Sequence, residues 1–202
     1  MRRATFVAGL LLACVCAASA RADGDPASDY LYAQKVFFPF EVKIPKAKQE
    51  GFTALVDAAN RSGYKIRVAL IGSSYDLGSV TPLWRKPRQY ARFLDVEISF
   101  LYKHRLLVVM PNGFGFAWPH HPSNREYAVL SKIRIHPGGV GLVDAAQTAV
   151  QRLATASGVK IAHPNRRLTH SSWAHHRAVI ILGTIAVLLA AALIVDGLRR
   201  RR

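Results

Sequence analysis

Ala178 to Val195 is an 18-residue run without one charged side chain, and four consecutive arginines, Arg199 to Arg202, close the chain just beyond it. A helix of that length rises about 27 Å, close to the thickness of a bilayer's hydrocarbon core. Gly183 and Thr184 are tolerable in such a helix, and the run has no polar face with which to lie on a domain surface. Arginine-rich flanks stay on the cytoplasmic side. Residues 178–196 are therefore expected to form one transmembrane helix, and 197–202 a cytoplasmic Arg-rich tail. Everything N-terminal to them is expected outside the cytoplasm, at the cell membrane.

The other end agrees. Arg2 and Arg3 precede an apolar run, Thr5 to Val15, that is too short to span, and small residues follow as Ala18-Ser19-Ala20 or Ala20-Arg21-Ala22. That is the layout of a secretory signal peptide over residues 1–22, with cleavage after Ala20 or after Ala22. Leu11-Leu12-Ala13-Cys14 has the outline of a lipobox. Its second leucine and very short leader argue against lipidation, and a second anchor would be redundant. The only two cysteines, Cys14 and Cys16, lie in this leader, so the cleaved protein holds no disulfide, thiol nucleophile or cysteine metal site.

The formal charge of +16 belongs partly to the two ends. Residues 23–176 carry 20 basic and 11 acidic side chains, a net +9, which favours anionic surfaces. The expected partners are the lipid bilayer, and with it another envelope membrane protein or an anionic polymer. Nucleic acid is not expected outside the cytoplasm.

Between the ends, residues 23–158 read as one extracytoplasmic α/β domain, followed by a polar linker, 159–177, rich in His, Arg, Asn, Ser and Thr. Val36 to Phe40 is apolar and extended. From Ala47 to Arg61, Phe52, Leu55, Val56 and Ala59 keep helical spacing, with Gly63 placed to end the helix. Lys65 to Gly72 reads as a strand and Ser73 to Gly78 as a loop. Pro87 opens a second helix reaching Leu101. Arg105 to Met110 is a continuous apolar run, as in a strand buried on both faces. Pro111 to Gly115 reads as the turn that breaks it, 117–126 as a Pro-rich loop, Ala128 to Ile135 as a further strand, and Leu142 to Ala156 as an amphipathic helix. This alternation predicts a small parallel or mixed sheet with helices packed on it.

Four stretches carry a family likeness. They are Ser62-Gly63-Tyr64-Lys65-Ile66-Arg67-Val68-Ala69-Leu70-Ile71, Tyr90-Ala91-Arg92-Phe93-Leu94, the apolar strand Leu106 to Met110, and Gly113-Phe114-Gly115. In these, residues 29–156 resemble the TPM domain family, most of all divergent actinobacterial members of unassigned function. The resemblance implies a TPM-like α/β/α fold beside a C-terminal transmembrane helix. It also implies a role among those reported in the family: acid phosphatase, metal-binding module, or assembly and accessory factor. The family's acidic, glycine-containing turn before the second core strand is replaced here by Tyr102-Lys103-His104-Arg105. A cationic turn repels the cation that an acidic one would hold.

Among candidate sites, Asp76 follows a strand end, where open α/β sheets bind ligands, and would serve as nucleophile or cation ligand. An aspartate two residues before Gly78 is also ordinary turn chemistry. Asn112, Gly113 and Gly115 follow the other buried strand and would bring backbone close to an anion, or simply turn the chain. The GKS/T ending of a phosphate loop is absent. If both loops share an edge, Asp76, Asn112 and Gly113 would form one cleft with Arg85 and Lys86. Arg85, Lys86, Arg88 and Arg92, with Trp84 and Tyr90, form a basic cluster suited to anionic lipid or envelope polymer. His120 and His121 are adjacent and point apart, and nothing at metal-ligand spacing completes them, so no metal and no cofactor is expected. These features favour a membrane-anchored accessory or interaction domain. The alternatives are a phosphatase-like hydrolase using Asp76 with the Gly113–Gly115 loop, and a binder of anionic lipid or polymer through Arg85–Arg92.

Overall fold

The computed structural model describes residues 24–162. The expected signal peptide, transmembrane helix and tail, and all of the linker beyond Ala162, lie outside them. Among the described residues no helix is long and apolar enough to cross a membrane.

The chain runs α1 (Pro26–Ala33), β1 (Val36–Phe37), α2 (Lys46–Arg61), β2 (Ile66–Leu70), a 3-10 stretch (Ser74–Leu83), α3 (Pro87–Ile98), β3 (Arg105–Met110), β4 (Gly113–Ala117), α4 (Asn124–Leu130) and α5 (Gly138–Ala156). The four strands form one mixed sheet in the order β1-β2-β3-β4. β1, β2 and β3 are parallel and β4 is antiparallel to β3. The expected α/β class and mixed sheet are present.

Strand alternation divides the apolar residues between two cores. Ile66, Val68, Leu70, Leu107 and Val109 face α2 and α5, while Ala69, Leu106, Val108 and Met110 face α1 and α3. Helices thus cover both faces, which is why β3 is apolar almost without interruption. The connections β1-α2-β2 and β2-α3-β3 step in the same direction yet place their helices on opposite faces. The two crossovers therefore differ in hand, against the usual preference for right-handed ones.

Local chemistry fixes the α2–β2 corner. Gly63 adopts φ 92°, the Tyr64 N–H donates to the Ala59 carbonyl at 2.9 Å, and the Gly63 N–H donates to that of Asn60 at 3.3 Å. This pairing ends a helix with a left-handed glycine, as the sequence predicts. The buried Asn60 side chain donates to the carbonyls of Val56 and Ile66 and accepts from the Ile66 N–H, joining helix end to strand start.

Three local expectations are corrected, and one helix is added. Ala128 to Ile135 does not form a strand: Asn124–Leu130 is helical. The place beside β3 is taken by β4, and Tyr127 is held to it by its hydroxyl, which accepts from the Phe116 N–H and donates to the Phe116 carbonyl. Gly113-Phe114-Gly115 is not a turn but the start of β4, with only Pro111 and Asn112 between paired Met110 and Gly113. Ser74–Leu83 is a 3-10 stretch kinked at Gly78 rather than an open loop. Helix α1, unanticipated, is capped by Asp25, whose carboxylate accepts from the Ser28 N–H at 3.2 Å, with Pro26 at its first position.

Candidate functional site

Parallel strands put the ends of β2 and β3 at one edge, and the N-terminus of α3 and the β3–β4 turn meet there. They border a groove of about 600 Å³. Lys86, Pro87, Arg88 and Gln89 line one side and Pro111, Asn112, Gly113 and Phe114 the base. Tyr127, Leu130, Ser131, Ile133 and Ile135 line the far wall. No carboxylate, histidine or thiol is among these lining residues, and both charged ones are cations.

The cations are positioned by neighbours. The Arg88 guanidinium lies 4.1 Å over the Tyr127 ring, which is itself held to β4. Asn112 donates through Nδ2 to the Arg85 carbonyl at 2.6 Å, tying the β3–β4 turn to the segment that leads into α3. Arg85 adopts φ 60°, a conformation worth about 1 kcal/mol of strain in a non-glycine residue. Gly115 faces α3 at close range: a Cβ there would sit on the Pro87 carbonyl oxygen and 2.8 Å from the Ala91 Cβ. Its absence lets the helix N-terminus and its cations approach the groove.

Of the residues singled out in the sequence, the fold brings Lys86, Arg88, Asn112 and Gly113 together on this groove. Gly115 lies behind it and Arg85 contributes its carbonyl. Arg92, one turn further along α3, is exposed and does not line it. Asp76 is fully buried and takes no part in the lining. Its Oδ1 accepts from the Phe40 N–H at 2.8 Å, and its Oδ2 from the N–H groups of Gly72 and Ser73 at 2.8 and 2.9 Å. The carboxylate is the tie between the end of β2 and the segment after β1. His121 packs against Trp118 with centroids 3.7 Å apart and ring planes tilted by 57°, while His120 adopts φ 62°. Among the described residues no three His, Cys, Asp or Glu side chains are grouped to hold a metal ion.

A second buried acid was not foreseen. Asp25, 4 % exposed, accepts through Oδ1 from the buried Tyr90 hydroxyl at 2.6 Å. Burial pushes the Asp25 carboxyl up from 3.8 to about 6, against the opposing hydrogen bonds from Tyr90 and Ser28. Burial, with Asp25 alongside, likewise drives the Tyr90 hydroxyl well above its ordinary range. Because the folded Asp25 value lies above the unfolded one, its stabilising contribution is complete below about pH 4. It is lost as pH rises through 6, by up to about 3 kcal/mol. Asp25→Asn, which can still accept from Tyr90, is expected to remove that loss. Urea midpoints of the two proteins should diverge between pH 4 and pH 7, the wild type falling relative to the variant; parallel curves would contradict this.

The far wall of the groove was missed in the sequence because 128–135 reads as a strand. Ser123 and Glu126 carry the S-x-x-E spacing of a helix start, and that signal would have found α4.

No family model matches the chain, and no curated protein matches it. Among solved structures it is similar to the N-terminal domain of a protein from Corynebacterium glutamicum, solved by NMR in solution. The identity is 14%, the TM-score 0.42, and the match covers 70% of this chain and 90% of that one.

Proposed function

We propose that this chain is a membrane-tethered, extracytoplasmic binding domain of TPM-like α/β/α type. Its leader is residues 1–22 and its single transmembrane helix residues 178–196. Its groove takes an acidic, partly apolar segment of another envelope protein. The observation that carries the reading is the groove's make-up: a far wall with Tyr127, Leu130, Ile133 and Ile135, a rim of Lys86 and Arg88, and no carboxylate, histidine or thiol in the lining. A hydrolase built on Asp76 is less well supported, since both oxygens of that residue are engaged by backbone amides away from the groove.

Binding through the groove needs both the cations and the apolar wall. A fluorescent peptide with acidic residues flanking leucines is expected to bind, and Lys86→Glu with Arg88→Glu to weaken it at least tenfold at low salt. That loss corresponds to about 1.4 kcal/mol or more. Rising salt should narrow the difference. Ile133→Asp should weaken it as well. If a charge-only polymer such as polyglutamate binds equally and ignores Ile133→Asp, the polymer-binding alternative through Arg85–Arg92 gains. Binding by neither probe would remove the groove from consideration.

A further inference from the structure

The edge of the sheet opposite the groove has a different character. Residues that precede β1, β2 and β3, and those that follow β4, meet there. From the last turn of α3 into the segment before β3 the chain forms an apolar projection: Val96 is 70 % exposed, Phe100 74 % and Leu101 58 %. Phe100 is braced edge-on against Tyr32, with centroids 5.8 Å apart, and the Tyr32 hydroxyl donates to the Glu97 carbonyl at 2.9 Å. The projection is thus held rigidly with its apolar side chains in solvent.

Exposed cations lie along the same edge: Arg61, Lys65, Lys103 and Lys160. Beneath them, the Arg105 guanidinium is sandwiched between Trp118 and Tyr64, 3.8 and 4.4 Å from the ring centroids, and Arg67 lies 4.2 Å over Tyr102. Of the acids nearby, Asp57 is paired with Lys35 at 2.6 Å, Glu97 is exposed on α3, and Glu126 acts on Tyr64 with a charge opposite in sign to that of Arg105. The described chain also ends here. After α5, Val159 and Ile161 pack on the core and the Ala162 N–H reaches the Ser62 hydroxyl at 3.5 Å. From that point 15 residues, 163–177, lead to the uncharged run, a leash of at most about 50 Å.

We infer that this edge is the domain's membrane-facing surface, with Phe100 and Leu101 inserting among the headgroups of an anionic bilayer and the surrounding cations resting on their charge. The inference rests on the membrane-tethered reading above. An apolar tip ringed by cations is complementary to an anionic interface, where apolar burial and charge attraction add. The short leash leaves from the same edge. Lys103, His104 and Arg105 fall in this surface and contribute to its positive sign. The groove, at the other edge, then faces away from the membrane and stays open to a partner.

The test uses the full chain with Cys14→Ala and Cys16→Ala, reconstituted in vesicles of phosphatidylcholine and phosphatidylglycerol. A nitroxide is attached through Leu101→Cys, or as control through Tyr75→Cys, an exposed aromatic at the opposite edge. The label at 101 is expected to be protected from a water-soluble nickel chelate and accessible to oxygen, and the label at 75 the reverse. Equal exposure of both to the chelate, or insertion of 75 instead, would overturn the inference. Release of the chain from membranes by alkaline carbonate would mean that the tether reading itself has failed. The released protein then decides the edge alone, by co-sedimentation with the same vesicles. Binding lost on Phe100→Asp supports the surface, and no binding overturns it.

Discussion

Asp76→Ala is expected to cost about 3–5 kcal/mol of folding stability, a large share of the 5–15 kcal/mol that domains of this size possess. The carboxylate is fully buried and holds three backbone amides, those of Phe40, Gly72 and Ser73. Removing it leaves amides unpartnered beside the end of β2 and frees the segment after β1. The cost stays below the sum of three fully buried losses because the surroundings are only partly closed to water. Asp76→Asn should cost less, about 2–3 kcal/mol, since one oxygen still accepts while its amide group opposes a donor. Urea denaturation of both variants beside the wild type measures this. A variant of unchanged midpoint that had lost only a ligand or an activity would reverse the conclusion. It would restore Asp76 as a functional carboxylate.

Gly115→Ala is the second large effect, about 3 kcal/mol or more. Overpacking a core costs about 1–3 kcal/mol when side chains can shift. Here the added methyl would meet the Pro87 backbone, its carbonyl carbon only 2.5 Å away, so α3 itself must move off β4. The same displacement carries Lys86, Pro87 and Arg88 away from the groove's base. Peptide binding should therefore fall together with the denaturation midpoint, whereas Ile133→Asp should affect binding far more than stability. A Gly115→Ala protein within about 0.5 kcal/mol of wild type would show that the helix and strand are not in close contact.

Where periodicity was long, the sequence was sufficient. Phe52, Leu55, Val56 and Ala59 specify the core face of α2, Gly63 its end, and the run Leu106 to Met110 a strand covered on both sides. Each of those signals is local: a 3.6-residue repeat, one left-handed glycine, or an unbroken apolar run. The helix start at Asp25-Pro26 is equally local, a cap followed by a proline at the first helical position, yet it was not anticipated.

The rest depended on contacts distant in the chain. Gly113-Phe114-Gly115 has the composition of a turn, and it becomes a strand because Gly115 admits α3 on one face while Phe114 and Phe116 enter the core on the other. Asp76 has the sequence context of an active-site loop, and its role is decided by Phe40, 36 residues earlier. The basic cluster was visible, but that Lys86 and Arg88 would stand over an apolar wall required α4, whose Tyr127 is fastened to Phe116. Likewise Leu101 reads as the end of a helix, and only the fold shows it uncovered beside Val96 and Phe100. What the sequence by itself determined is the class of fold, the cores' membership along the long elements, and the charge that favours an anionic partner, because propensity and hydrophobic period act between near neighbours. Which polar groups are buried, which apolar ones are exposed, and which cations share a groove were settled only in tertiary structure, because burial belongs to the packed whole.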